Sequence, residues 1–224
     1  MDNVTLQAMQ WMDKWFSKDV YQPHSENQQL GCGKPGFLSN LGMAGKICGI
    51  LSRLEFDDLL DIGSCDGFNV ALFQKVFQKP VVASDLSSEA LNRASEQYGL
   101  TTIALDSHQI PFKNNSFDVV TCNEVIEHVD DPISTLLELF RVTRKYLIVS
   151  TLEFTRYPIM RSLRIRTLNP SCEHAHRAVF TLSDFQDLFG TNILTFPELQ
   201  DVNNISPFEI SDIGVSQEDA EEII

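Results

Sequence analysis

The sequence is short of basic residues: 17 Lys and Arg stand against 31 Asp and Glu in 224 residues, a formal net charge of −14. A surface this negative repels phosphate backbones, which disfavours non-specific nucleic-acid binding. No apolar run approaches the roughly 18 residues of a membrane span. The opening MDNVTLQAMQWMDKWF lacks the charged head, apolar block and small-residue cleavage site of a signal peptide, so none is expected. There is no internal repeat and no low-complexity segment, which excludes collagen-like and disordered classes. The five cysteines (Cys32, Cys48, Cys65, Cys122 and Cys172) are odd in number and scattered, with no CxxC pair. That excludes a disulfide framework and a zinc-ligand pattern, and reduced thiols of a cytoplasmic protein are expected.

What is present is a globular composition, 43% hydrophobic and 21% charged, of a length that suits one domain. The charge is uneven. Arg141, Arg144, Lys145, Arg156, Arg161, Arg164, Arg166 and Arg177 fall in one stretch, and no Lys or Arg follows Arg177. A solvated helix face followed by an acidic tail accounts for this pattern, and a local basic surface is the alternative.

Hydrophobic periodicity divides the chain. Residues 2–16 carry Val4, Ala8, Trp11 and Trp15 at helical spacing, residues 17–36 are a polar loop broken by Gly and Pro, and a second helix is expected over 37–54. Strands are expected over 56–62, 81–84, 101–105, 117–122 and 146–150. Helices are expected over 67–78, 87–98 and 131–144, the second capped by Ser87 or Ser88 and the third with Pro132 in its first turn. The strands read as continuous apolar runs, as buried parallel strands do. Their alternation with helices predicts βαβ units and a doubly wound, mostly parallel sheet. Further on we expect a helical insertion at about 153–180, a helix from Thr181 to Phe189, and two final strands near 191–196 and 209–215. These would make the sheet seven-stranded within a single domain.

In such a sheet, ligands bind beyond the carboxyl ends of the strands. Those ends carry Asp61 to Phe68, Asp85, Asp106-Ser107-His108, and Asn123, Glu124, Glu127 and His128. An acid after the second strand can accept from two ribose hydroxyls, and one after the third from an exocyclic amine, which together describe an adenosine pocket. The dinucleotide fingerprint G-x-G-x-x-G, laid on Gly63, fails at Cys65 and Phe68. No Tyr-x-x-x-Lys pair is present either, so a nicotinamide oxidoreductase is disfavoured.

LLDIGSCDGFNV resembles the first motif of the class I S-adenosylmethionine-dependent methyltransferases, matching at Asp61, Gly63 and Gly67 and departing at Cys65, where the family has glycine. VVASDLS, and then ALDSHQIPFKNNSFDVVTCNEVIEHVDDP, resemble the later motifs in order. The likeness is nearest to the small enzymes of ubiquinone and menaquinone biosynthesis. It implies a Rossmann-like core over 55–224 under a helical lid, residues 1–54, with S-adenosylmethionine as cofactor. By match, Asp61, Gly63, Ser64, Cys65 and Gly67 would border its methionine part and Asp85 its ribose. Leu86 would lie against the adenine, Asp106 and Ser107 at the adenine edge, and Asn123 at the methionine end.

Methyl transfer from a sulfonium is largely a matter of orientation and desolvation, with a base needed only where the acceptor carries a proton. Glu127, His128 and His176 are the candidates, with His174 and Tyr157 beside them. Glu124, Glu127 and His128 would share a face if helical. Together with His176 they are similar to the metal ligands of RNA 3′-terminal 2′-O-methyltransferases, which keeps a metal-dependent RNA alternative open. Glu127 and His128 simply bordering an acceptor pocket, with no metal, is the favoured reading. No Asn-Pro-Pro-Tyr or Pro-Cys acceptor signature occurs, which points to a small-molecule acceptor. Arg161, Arg164 and Arg166 suggest an acidic or phosphorylated one. A non-catalytic binding module is the remaining alternative, and only Cys65 leans that way.

Overall fold

A computed structural model describes residues 10, 13, 35–151, 180 and 182–190. In chain order these form α1 (Pro35–Leu51), β1 (Leu59–Ile62), α2 (Phe68–Phe77), β2 (Val81–Asp85), α3 (Ser88–Tyr98), β3 (Thr101–Ala104), β4 (Phe117–Asn123), α4 (Pro132–Val142), β5 (Thr143–Ser150) and α5 (Leu182–Phe189). The five strands lie in the order β3-β2-β1-β4-β5, and every pairing is parallel. The chain crosses over between β1 and β4, which makes the carboxyl ends of those two strands the switch point where ligands bind.

Period-two alternation gives each sheet face its own core. Leu59 and Val119 turn to one face, where Val70, Leu72 and Phe73 of α2, Ala94 of α3 and Ile47 and Leu51 of α1 bury them. Leu60, Ile62, Val120 and Cys122 turn to the other, under Leu136, Leu139 and Val142 of α4, with Phe180 and Phe185. The expected continuous burial holds for β1 and β4 but not for β3 and β5, which are the two edge strands of the described sheet. The structure also ends α4 at Val142 and begins β5 at Thr143, so the helix expected to reach residue 144 stops two residues short. Thr143 takes an extended conformation, and Arg144 and Lys145 are drawn to the foot of β4.

That foot is a charged bracket. The Asp118 carboxylate accepts from Arg144 Nη1 at 2.7 Å, Lys145 Nζ at 2.8 Å and the Asp57 N–H at 2.9 Å, while its own N–H donates to Asp58 Oδ1 at 2.6 Å. The Lys145 ammonium and its neighbours hold the Asp118 carboxyl down to about 2. Asp57 and Asp58 therefore belong to this bracket, and β1 starts only at Leu59, not at the expected residue 56. Helix starts follow the capping chemistry. The Ser87 side chain accepts the Ala90 N–H, and that of Asp131 accepts the Ser134 N–H, with Pro132 in the first turn.

The helix expected over residues 2–16 is represented by Gln10 and Asp13, both helical. Of the expected lid, residues 35–54 are described and carry α1, while the other residues before 35, most of the insertion and the two final strands lie outside the described residues. Among the described residues no helix is long and apolar enough to cross a membrane.

Candidate active site

Three polar strand ends meet at the switch point. Asp61 on β1 stands level with Thr121 on β4, and Asp85 ends β2 one position beyond Ser84, the partner of Ile62. Asp61 is buried. Its Oδ1 accepts from the Thr121 hydroxyl and from Asn123 Nδ2 at 3.3 Å, and its Oδ2 accepts from the Ser64 hydroxyl at 2.8 Å. Burial pushes its carboxyl up to about 6 against the pull of these bonds.

Two serines interlock the loop after β1 with the end of β2. The Ser84 N–H donates to Ser64 Oγ at 2.9 Å and the Ser84 hydroxyl to the Asp61 carbonyl at 2.7 Å. The Gly63 and Ser64 N–H groups both donate to the Ser84 carbonyl at 2.8 Å. The glycines have a reason beyond room for a ligand. Gly63 has φ +76°, and a Cβ there would lie 2.2 Å from Val125 Cγ2. At Gly67, with φ +83°, it would lie 2.6 Å from the Ala94 Cβ. Cys65 adopts φ +53°, the left-handed conformation its family glycine would take at less cost. Its N–H donates to Asp85 Oδ2 at 2.9 Å, and the Ser87 N–H donates to Asp85 Oδ1 at 2.9 Å. Burial raises the Asp85 carboxyl above the usual range.

Leu86 is half-buried beside Asp85. Asp106 and Ser107 follow β3, both half-buried. Asp106 Oδ1 holds the His108 ring through Nδ1 at 2.6 Å, and Ser107 Oγ lies 3.3 Å from Thr135 Oγ1. His108 Nε2 accepts the Asp131 N–H at 3.4 Å, which joins this edge to the start of α4.

Glu124 to His128 do not form a helix. They make a turn in which Glu124 has φ +54° and the His128 N–H donates to the Val125 carbonyl at 2.9 Å. A helix would need αR at Glu124, and the chain leaving β4 toward the Asp131 cap turns the other way there. The turn still brings the two glutamates together, hydrogen-bonded to each other. Glu127 Oε2 accepts from the Thr151 hydroxyl at 3.1 Å, and Glu124 Oε1 accepts from Ser150 Oγ at 3.4 Å. Burial raises both carboxyls, and the Glu124 charge raises Glu127 further. Glu127 Oε1 is buried with no hydrogen-bond partner among the described residues. His176 lies outside the described residues. Sequence reasoning missed Ser84, Thr121 and Thr151, which lie at strand ends but carry no motif signal of their own.

A doubly wound parallel sheet with a strained loop after β1 and buried acids ending β1 and β2 defines the class I methyltransferase architecture. Residues 60–148 match the methyltransferase-domain family. The chain is 32% identical over 101 residues to an uncharacterized methyltransferase of Schizosaccharomyces pombe, covering 39% of this chain and 36% of the relative. It is 29% identical over 90 residues to the ubiquinone/menaquinone biosynthesis C-methyltransferase of Desulfotalea psychrophila, covering 38% of this chain and 37% of the relative. The chain thus spans little more than a third of the length of these two relatives. Among solved structures it resembles magnesium protoporphyrin IX methyltransferase of Synechocystis PCC 6803 with bound SAH, at TM-score 0.57 and 15% identity over 81% of this chain and 87% of that one.

The residues present fit S-adenosylmethionine, the cofactor of this class. Each Asp85 oxygen accepts one N–H and keeps a lone pair for a ribose hydroxyl. Asn123 Oδ1 is buried with no partner among the described residues, which leaves it free to accept.

Proposed function

We propose that the chain transfers a methyl group from S-adenosylmethionine to a small-molecule acceptor. The observation that carries this reading is the row formed by Asp85, Asp61 and Asn123 at the carboxyl ends of three adjacent parallel strands. Asp85 would hold the ribose, Asp106 and Ser107 the adenine edge with Leu86 against the ring, and the loop 63–67 with Asn123 the methionine end. When bound, the cofactor supplies an electrophilic methyl on a sulfonium whose departure needs no further activation.

The chain's own work is orientation, exclusion of water and proton handling. Glu127 is the group placed to take a proton from the acceptor. It is buried, and burial together with the Glu124 charge pushes its carboxyl up to about 7, which suits it to take up a proton near neutral pH. His128 borders the same turn, and His176 joins it by resemblance only. The negative net charge and the missing amine-holding and cysteine-nucleophile motifs favour a small acceptor over RNA or protein.

A calorimetric titration with S-adenosylhomocysteine tests the reading, run beside NADH and with and without manganese. Binding of S-adenosylhomocysteine that is lost in Asp85→Ala is the expected result. No binding in any of these conditions would overturn it, and tightening by manganese would favour metal-assisted chemistry on a ribose.

A further inference from the structure

Asp13 reaches the cofactor loop from far along the chain. Its Oδ1 accepts from the Ser87 hydroxyl at 2.7 Å and from the Glu89 N–H at 3.1 Å. Ser87 is fully buried, and it touches three things at once. Its hydroxyl donates to Asp13, its Oγ accepts the Ala90 N–H at 3.2 Å, and its N–H donates to Asp85 Oδ1 at 2.9 Å. The Asp13 carboxylate also sits at the positive end of α3, where a negative charge is favoured. One serine thus bridges a carboxylate from the N-terminal segment and the carboxylate assigned to the ribose.

We propose that Asp13 is a positioning residue for Asp85: by holding Ser87 it couples its own contact with the start of α3 to cofactor binding. This rests on the functional reading above. With Asp13 in place the Ser87 hydroxyl proton is committed, the turn 85–89 is fixed, and Asp85 presents its remaining lone pairs in one arrangement. Without it the turn gains freedom that the cofactor must remove on binding. Coupling of this kind is reciprocal, so the cofactor must in turn hold Asp13 on Ser87.

The full chain, its Asp13→Ala, Asp13→Asn and Ser87→Ala variants, S-adenosylhomocysteine and trypsin test this. Asn keeps the accepting oxygen, so D13N binds S-adenosylhomocysteine within about twofold of the natural protein, whereas D13A weakens at least fivefold, the low end of ordinary coupling. Saturating ligand slows tryptic cleavage after Lys14 at least fivefold in the natural protein and less than twofold in D13A. Equal affinities of D13A and the natural protein, or cleavage indifferent to the ligand, would overturn the proposal. Because D13A alters the residue beside the scissile bond, S87A supplies the independent measurement: without ligand it is cleaved after Lys14 faster than the natural protein. If the natural protein binds no S-adenosylhomocysteine, the functional reading fails by itself. Equal cleavage of S87A and the natural protein would then remove the Asp13 contact as well, and faster cleavage of S87A would uphold it.

Discussion

Asp61→Asn separates what the fold wants from what the site wants. Burial lifts the Asp61 carboxyl from 3.8 to about 6. The folded state therefore favours the protonated acid. Its contribution is intact below pH 4 and is lost as the pH rises through about 6, at roughly 1.4 kcal/mol per unit. Above pH 7 the ionised carboxylate costs the ligand-free protein about 3 kcal/mol relative to a neutral group. Asparagine keeps the shape and still accepts from Thr121, at the loss of one charge-assisted bond of about 1–2 kcal/mol. The quantity to measure is the difference in unfolding free energy between variant and natural protein, by urea denaturation at pH 5 and at pH 8. Other titrating groups are common to both chains and cancel. The difference moves in favour of the variant by about 1.4 kcal/mol between the two pH values, because most of the loss left above pH 5 falls below about 6, where the unfolded carboxyl is ionised and the folded one still keeps its proton. The pH 5 arm lies close to the sequence pI of 4.6 and needs low protein concentration. A difference that is the same at both pH values would refute the assignment of a raised carboxyl to Asp61. The same variant binds S-adenosylhomocysteine more weakly, since the loop hung on Ser64 is then set by a neutral side chain.

Three further predictions concern stability. Gly63→Ala forces a side chain at φ +76° and 2.2 Å from Val125 Cγ2, and costs about 2–4 kcal/mol by thermal melting; adding Val125→Ala recovers the clash but not the backbone strain. Cys65→Gly relieves a left-handed φ of +53° and gains up to about 1 kcal/mol; a clear loss in the melt would show that the thiol packs more usefully than the backbone is strained. Asp118→Ala opens the bracket at the foot of β4 and costs about 2 kcal/mol at pH 7, a figure held down because Arg144 and Lys145 are partly exposed. Asp118 has a lowered carboxyl, so its contribution is present above about pH 4 and fades toward pH 2, and the variant's acid-unfolding limb is the shallower of the two.

The alternation of strand and helix was legible because each half-buried helix and each apolar strand carries its own period. Ser87 as cap, Pro132 as helix start and the turn at Gly63 could be read from single residues, since capping and left-handed backbone are local chemistry. The ends of β1 and β5 were misread for one reason. Asp57, Asp58, Arg144 and Lys145 answer to Asp118, 26 to 61 residues away in sequence, and no local period reports such a tie. The i, i+3, i+4 spacing of Glu124, Glu127 and His128 fits a helix face but says nothing about φ, and the structure sets the φ of Glu124 at +54°. The candidate acids of the site were all visible from the strand-end rule. Their supporting hydroxyls were not: Ser84 and Thr121 acquire their partners only when the parallel register is known.

The sheet has two ends with opposite characters. At the foot of β4, Asp118 is ionised and clamped by two cations, while at its head Asn123 stands among acids whose charge burial suppresses. Five residue steps along the strand separate them, about 16 Å. Substitutions that far apart add rather than interact. The head can therefore be redrawn for a different acceptor, one side chain at a time, without disturbing the clamp that keeps the strands in register. A chain built this way carries its adaptability and its durability in separate places, and change in one need not be repaired in the other.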